Sequence, residues 1–216
     1  MEIQAKEEQI VLLKRIREGE GDHLDFKFAI NDSRKLAITL SAFSNAGGGS
    51  LLIGVKDNGS ISGIQVEEEL HMVQGAAELY CQPPVEFHFH VHVLQGKHIL
   101  EATFEESLQK PVKALEKEGM ARAYIRVGSE NRLASPVMIQ YWQTEKKALT
   151  GTYQHTTKSK KIFDTLLQNP GSTLQQLCKA TRIFRPVLIK ILANLVRWEL
   201  IEIRYLQDKE HFYVRD

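Results

Sequence analysis

Cysteine is scarce in this chain: Cys81 and Cys178 are the only two, and they fall in segments of different kind. That excludes a disulfide framework and a cysteine-based zinc set. No apolar run approaches the roughly 18 residues that a membrane-spanning helix needs. The opening stretch MEIQAKEEQI is charged and lacks the apolar centre of a secretory leader. A reduced, cytoplasmic setting without a membrane is therefore expected. Ser41 and Ser44 have no nucleophile elbow around them, so no hydrolase triad is proposed. What is present is ordinary for a globular protein: 216 residues, 43% apolar and 25% charged, enough for one or two domains.

The charge is uneven. Residues 151–216 carry eleven Lys/Arg against six Asp/Glu, a net +5, while residues 1–150 carry seventeen against twenty-one, a net −4. A basic end on a mildly acidic body points to an anionic partner at that end. Along the first 150 residues, helical and strand patterns alternate. Residues 4–18 place Ile10, Leu13 and Ile16 at helical spacing. LDFKFAI alternates, with Leu24, Phe26, Phe28 and Ile30 on one face and Asp25 and Lys27 on the other. Asp32 or Ser33 can cap a helix to about Asn45. SLLIGV reads as a strand, Asp57-Asn58-Gly59 as a turn, and ISGI as a possible short strand. Val66 to Cys81 is helical. VEFHFHVHV and HILEATFEES form a hairpin across Gln95-Gly96, and AYIRV is a further strand. Ser135-Pro136 opens a helix to about Leu149. The class is α+β, a mixed sheet with flanking helices.

Residues 151–161 are polar and irregular and read as a linker, which divides the chain into 1–150 and 162–216. The second piece predicts three helices, 162–168, 174–181 and 185–199, then strands at 200–206 and 211–214. That order is a winged helix-turn-helix pattern. Thr173 can cap the second helix, and Pro186 suits the first turn of the third. Arg182, Arg185, Lys190 and Arg197 lie in the turn before that helix or on its less apolar side, with Lys160 and Lys161 ahead of the first. These are the candidate nucleic-acid contacts, Arg182 and Arg185 foremost, because the N-terminal residues of a recognition helix reach base edges. Ile189 is expected to point outward as well, which favours a protein-interaction surface instead.

The glycines of FSNAGGGSLLIGV invite a nucleotide-binding reading. Phosphate-binding loops run strand, glycines, helix, so that a helix N-terminus meets the phosphate. Here the order is helix, glycines, strand, and no G-K-[ST] element follows. The loop meets the negative end of a helix. A left-handed helix cap and a tight strand entry are the expected roles.

GEGDHLDFKFAI, LSAFSNAGGGSLLIGVKDNGSISGI, QKPV and AYIRVGSENRLASP together resemble the Schlafen/AlbA-type domain family over roughly residues 15–140. The resemblance implies a domain that in bacteria often precedes a winged helix, in proteins labelled as transcriptional regulators or as divergent ATP-binding proteins. It also implies a second possibility, since some animal members are metal-dependent endoribonucleases with three acidic residues. The matching positions here are Glu20, Asp25 and Asp57, with Lys27 on the face of Asp25 and able to contact phosphate. Such carboxylates suit Mg²⁺ or Mn²⁺. Position 25 is Asp where the family usually has Glu, and this chain holds one such domain where the animal enzymes pair two. His88, His90 and His92 share a strand face and are expected to face solvent. The leading expectation is a nucleic-acid-binding protein, a DNA-binding transcriptional regulator that needs no cofactor and works as a homo-oligomer on DNA or RNA. The alternatives are the metal-dependent ribonuclease and a protein-protein interaction module without nucleic acid.

Overall fold

A computed structural model describes residues 2–117, 119–145, 148–207 and 209–215. The chain forms two compact units, residues 1–134 and 135–216.

The N-terminal unit runs α1 (Glu2–Glu18), β1 (Leu24–Lys27), α2 (Ser33–Asn45), β2 (Gly49–Ile53), α3 (Val66–Leu79), β3 (Cys81–Gln82), β4 (Phe87–Leu94), β5 (Lys97–Phe104), β6 (Lys113–Leu115), β7 (Ala121–Val127) and β8 (Glu130–Leu133). One sheet has the order β1-β2-β5-β4 and the other β3-β6-β7-β8. β1 and β2 are parallel and the other pairings antiparallel, so the first sheet is mixed as expected. The register sets Asp25 beside Leu51 and Phe26 beside Leu52. Alternation then sorts the faces. Phe26, Leu52, Leu94 and Ile99 pack under Leu12 and Ile16 of α1. Leu51, Ile53, Leu100 and Phe104 pack with Leu40 and Phe43 of α2 and Val73 and Ala76 of α3. Leu40 and Phe43 are fully buried, each contributing about 1.5–3 kcal/mol.

Asp32 caps α2, its carboxylate accepting from the N–H groups of Arg34 (2.9 Å) and Lys35 (3.4 Å). The other end closes on glycine. The Gly48 N–H donates to the Phe43 carbonyl at 2.9 Å, and Gly47 and Gly48 have φ of +82° and +78°. That is the expected left-handed stop. The β4–β5 hairpin turns at Gln95-Gly96, both at positive φ, which matches the strand twist. ISGI makes no strand; Ile61 forms a single bridge with Val55. The short strands β3, β6 and β8 are too brief to show a period in sequence.

The C-terminal unit runs α4 (Pro136–Glu145), α5 (Thr157–Gln168), α6 (Leu174–Thr181), α7 (Arg185–Arg197), β9 (Ile201–Leu206) and β10 (Lys209–Val214). Its core joins Val137, Ile162, Leu166, Leu177, Leu188, Leu192, Leu195, Ile201 and Phe212. The boundary therefore lies ahead of α4, not at residue 150: Val137 belongs to this core, and an amphipathic helix does not announce which core it joins. Residues 148–150 are not helical, and residues 146–147 lie outside the described ones. Nor is 151–161 a free linker. The Tyr153 ring meets Trp198 (5.9 Å) and His155 (4.9 Å), and α5 already begins at Thr157 behind a Thr156–Ser159 capping box. Thr173 and Gln176 form a second capping box on α6, and Pro186 sits in the first turn of α7.

Candidate nucleic-acid interface

The basic candidates of the C-terminal unit lie on α5, at the end of α6 and on α7. Arg182 ends α6 in the left-handed conformation, φ +55°. Arg185 opens α7, and Lys190 lies one and a half turns further along. All three are exposed, and none carries an ion pair among the described residues. Lys160 and Lys161 are exposed on α5. Arg197 differs: it is only half-exposed, and its Nη2 atom is buried without a partner. It is turned inward and does not extend the basic surface. Ile189 also departs from expectation, being partly buried against the core rather than standing outward. The sequence reading passed over Phe184. It is 73% exposed between Arg182 and Arg185, and the signal was the spelling R-I-F-R, an aromatic bracketed by guanidiniums.

The acidic candidates lie in the N-terminal unit and behave differently. Asp25 is 3% exposed. Its Oδ1 accepts from Arg126 Nη2 at 3.1 Å and its Oδ2 from Lys27 Nζ at 2.6 Å. Lys27 does share the face of Asp25. Glu20 accepts the Phe26 N–H at 2.8 Å. Burial, and Asp25 beside it, hold the Glu20 carboxyl above its ordinary value against the pull of the Phe26 N–H and Lys27. Asp57 sits in an exposed turn built by Asn58, whose Oδ1 accepts from Ser60 N–H at 3.0 Å. So Glu20 and Asp25 come together, and Asp57 does not join them in a metal-holding group. Among the described residues no three His, Cys, Asp or Glu side chains are so grouped. With both Asp25 oxygens already engaged by cations, these carboxylates do not fit a divalent ion in this arrangement.

Arg126 is the residue that explains the acidic site. It is 5% exposed. Nε donates to the Gly21 carbonyl (3.0 Å) and Nη1 to Asn131 Oδ1 (2.9 Å), while Nη2 serves both Asp25 and the Leu24 carbonyl (3.3 Å). Its guanidinium lies 5.4 Å from the centre of the Phe43 ring. Asn45 plays a matching part, its amide donating to the carbonyls of Val112 (2.8 Å) and Tyr124 (2.9 Å) and its Oδ1 accepting the Val112 N–H (2.8 Å). The ordered motifs thus meet one another: Asp25 with Arg126, Arg126 with Phe43, and Asn45 with β7. They specify the fold.

The remaining candidates take structural places. Gly47 and Gly49 line an open cleft of about 600 Å³ with Arg15, His23 and Ser50, but also with Glu18, Glu105 and Glu106. Those acids and the helix C-terminus oppose a phosphate. His88 and His90 are exposed. His92 meets Glu101 at 2.8 Å, and Arg15 meets the other oxygen of that carboxylate at 2.7 Å. Burial pushes the Glu101 carboxyl up, and these two partners outweigh it, holding it down at about 2.

The family model for Schlafen, AlbA_2 matches residues 20–135. A protein of Corynebacterium diphtheriae resembles 70% of this chain at 18% identity and TM-score 0.44, and the chain spans 31% of that protein's length. The N-terminal domain of a Nitrosomonas europaea protein described as related to the ATP-dependent DNA helicase RecG resembles 67% of this chain, over 96% of its own length, at 18% identity and TM-score 0.42. No curated protein matches the chain. No helix among the described residues is long and apolar enough to cross a membrane.

Proposed function

The chain belongs to the Schlafen AlbA_2 family, and from that premise we propose that it is a nucleic-acid-binding protein, a DNA-binding transcriptional regulator. In this reading the three helices α5 to α7 and the β9–β10 hairpin are a winged helix-turn-helix. α7 enters the major groove, with Arg182 and Arg185 at the base edges and Lys190, Lys160 and Lys161 on phosphates.

One observation carries the reading: Arg182, Arg185 and Lys190 are exposed at and along the start of α7 and have no acidic partner among the described residues. Cations left unpaired on one helix and the turn before it are disposed to neutralise phosphate. The net +5 of residues 151–216 supports it. The test titrates the full chain into labelled DNA duplex and RNA hairpin at low salt. Replacing Arg182 and Arg185 together by Glu weakens DNA binding by at least about tenfold. Absence of binding by the unaltered chain, or an unchanged affinity in the double variant, would sink the reading.

A further inference from the structure

Phe184 is the most exposed aromatic ring of the C-terminal unit, at 73%. It contributes little to folding, because its apolar surface stays in water. Yet the backbone around it is held firmly. On its N-terminal side, Ile183 is buried, and Thr181, itself 2% exposed, donates to the Leu177 carbonyl at 2.6 Å while its oxygen accepts the Ile183 N–H at 3.3 Å. The Arg182 N–H is tied to the Cys178 carbonyl at 3.0 Å. On the C-terminal side, the Phe184 carbonyl accepts from both Val187 (2.9 Å) and Leu188 (3.0 Å). The turn is anchored on either side of the ring and delivers it outward between two unpaired guanidiniums.

Those guanidiniums can hold nucleic acid on each side of the ring. The ring itself has no donor or acceptor, and in the major groove of paired DNA its one specific contact is with a thymine methyl. What a bracketed phenyl offers is a stacking face, and base-aromatic stacking needs a base that is out of its own stack. We propose that Phe184 stacks on an unpaired base, so that the C-terminal unit selects nucleic acid with an unpaired or extruded nucleotide over continuous duplex. This rests on the nucleic-acid reading above, and names the kind of site that reading would act on.

Polarisation titrations of the full chain test it, using a labelled duplex and the same duplex with one extra unpaired base at its centre, each as DNA and as RNA. The unaltered chain binds the bulged form about tenfold or more tightly than the paired form. Phe184→Ala erases that preference and leaves paired-duplex affinity within about twofold, because the arginine contacts persist. Phe184→Tyr keeps the preference. The proposal is overturned if the unaltered chain shows no preference, or if Phe184→Ala weakens both forms alike. In either case, binding that still depends on Arg182 and Arg185 leaves the nucleic-acid reading standing. Absence of binding to every probe overturns both.

Discussion

Arg126 shows what a single residue can decide in this fold. Its guanidinium shares with Lys27 the compensation of the buried Asp25 charge, and it bonds two carbonyls on the approach to and within β1. Removing Arg126 leaves the buried Asp25 with Lys27 as its one remaining cation, and breaking a buried ion pair costs about 3 kcal/mol. Arg126→Ala therefore destabilises the N-terminal unit by that amount in urea unfolding, and a loss below about 1 kcal/mol would show that Asp25 does not depend on it. The Tyr-x-Arg-x-Gly-Ser pattern contained Arg126, but nothing in the sequence paired it with an acid 101 residues away. Asp25 alternated with apolar neighbours and so read as the solvent face of a strand. Its burial depends on a partner from another sheet. Phe184 was missed for the opposite reason: an apolar residue ahead of a helix reads as core, and only the fold shows that Ile183 takes the core position instead.

At the scale of elements, the pattern helix, glycines, strand was legible, because element order and glycine position both follow from local chemistry. Gly48 of this loop and Gly96 of the β4–β5 hairpin are unequal. A side chain at Gly48 would meet the Phe104 carbonyl at 2.5 Å and would also have to hold φ of +78°. A side chain at Gly96 meets nothing within 4 Å, at a similar φ of +73°. Gly96→Ala thus costs about 1–2 kcal/mol, the left-handed term alone. Gly48→Ala costs more, since backbone must also move. Thermal unfolding of the two variants side by side checks this, and equal losses would mean that the approach of Phe104 is relieved elsewhere. What remained hidden was assignment between cores. The helix from Pro136 was foreseen with its Ser135 cap, which donates no secret about its partner: the Met138 N–H bonds the Ser135 hydroxyl at 3.1 Å, while only packing places Val137 in the C-terminal core.

For the whole molecule, charge is divided along the chain, and it does not follow the family motifs. The segments that carry the family resemblance wire the N-terminal unit together, while Arg182, Arg185 and Lys190 lie in the C-terminal one. Membership of the family is thus separate from the surface proposed to meet nucleic acid. The most direct measurement is the dependence of DNA affinity on salt. With Lys190, Lys160 and Lys161 on phosphates, log K falls linearly with log salt at a slope of about −3 or steeper. Replacing all three by Gln flattens that slope by about 2 to 3. An affinity that ignores salt, or a slope unchanged in the triple variant, would contradict nucleic-acid binding through this surface.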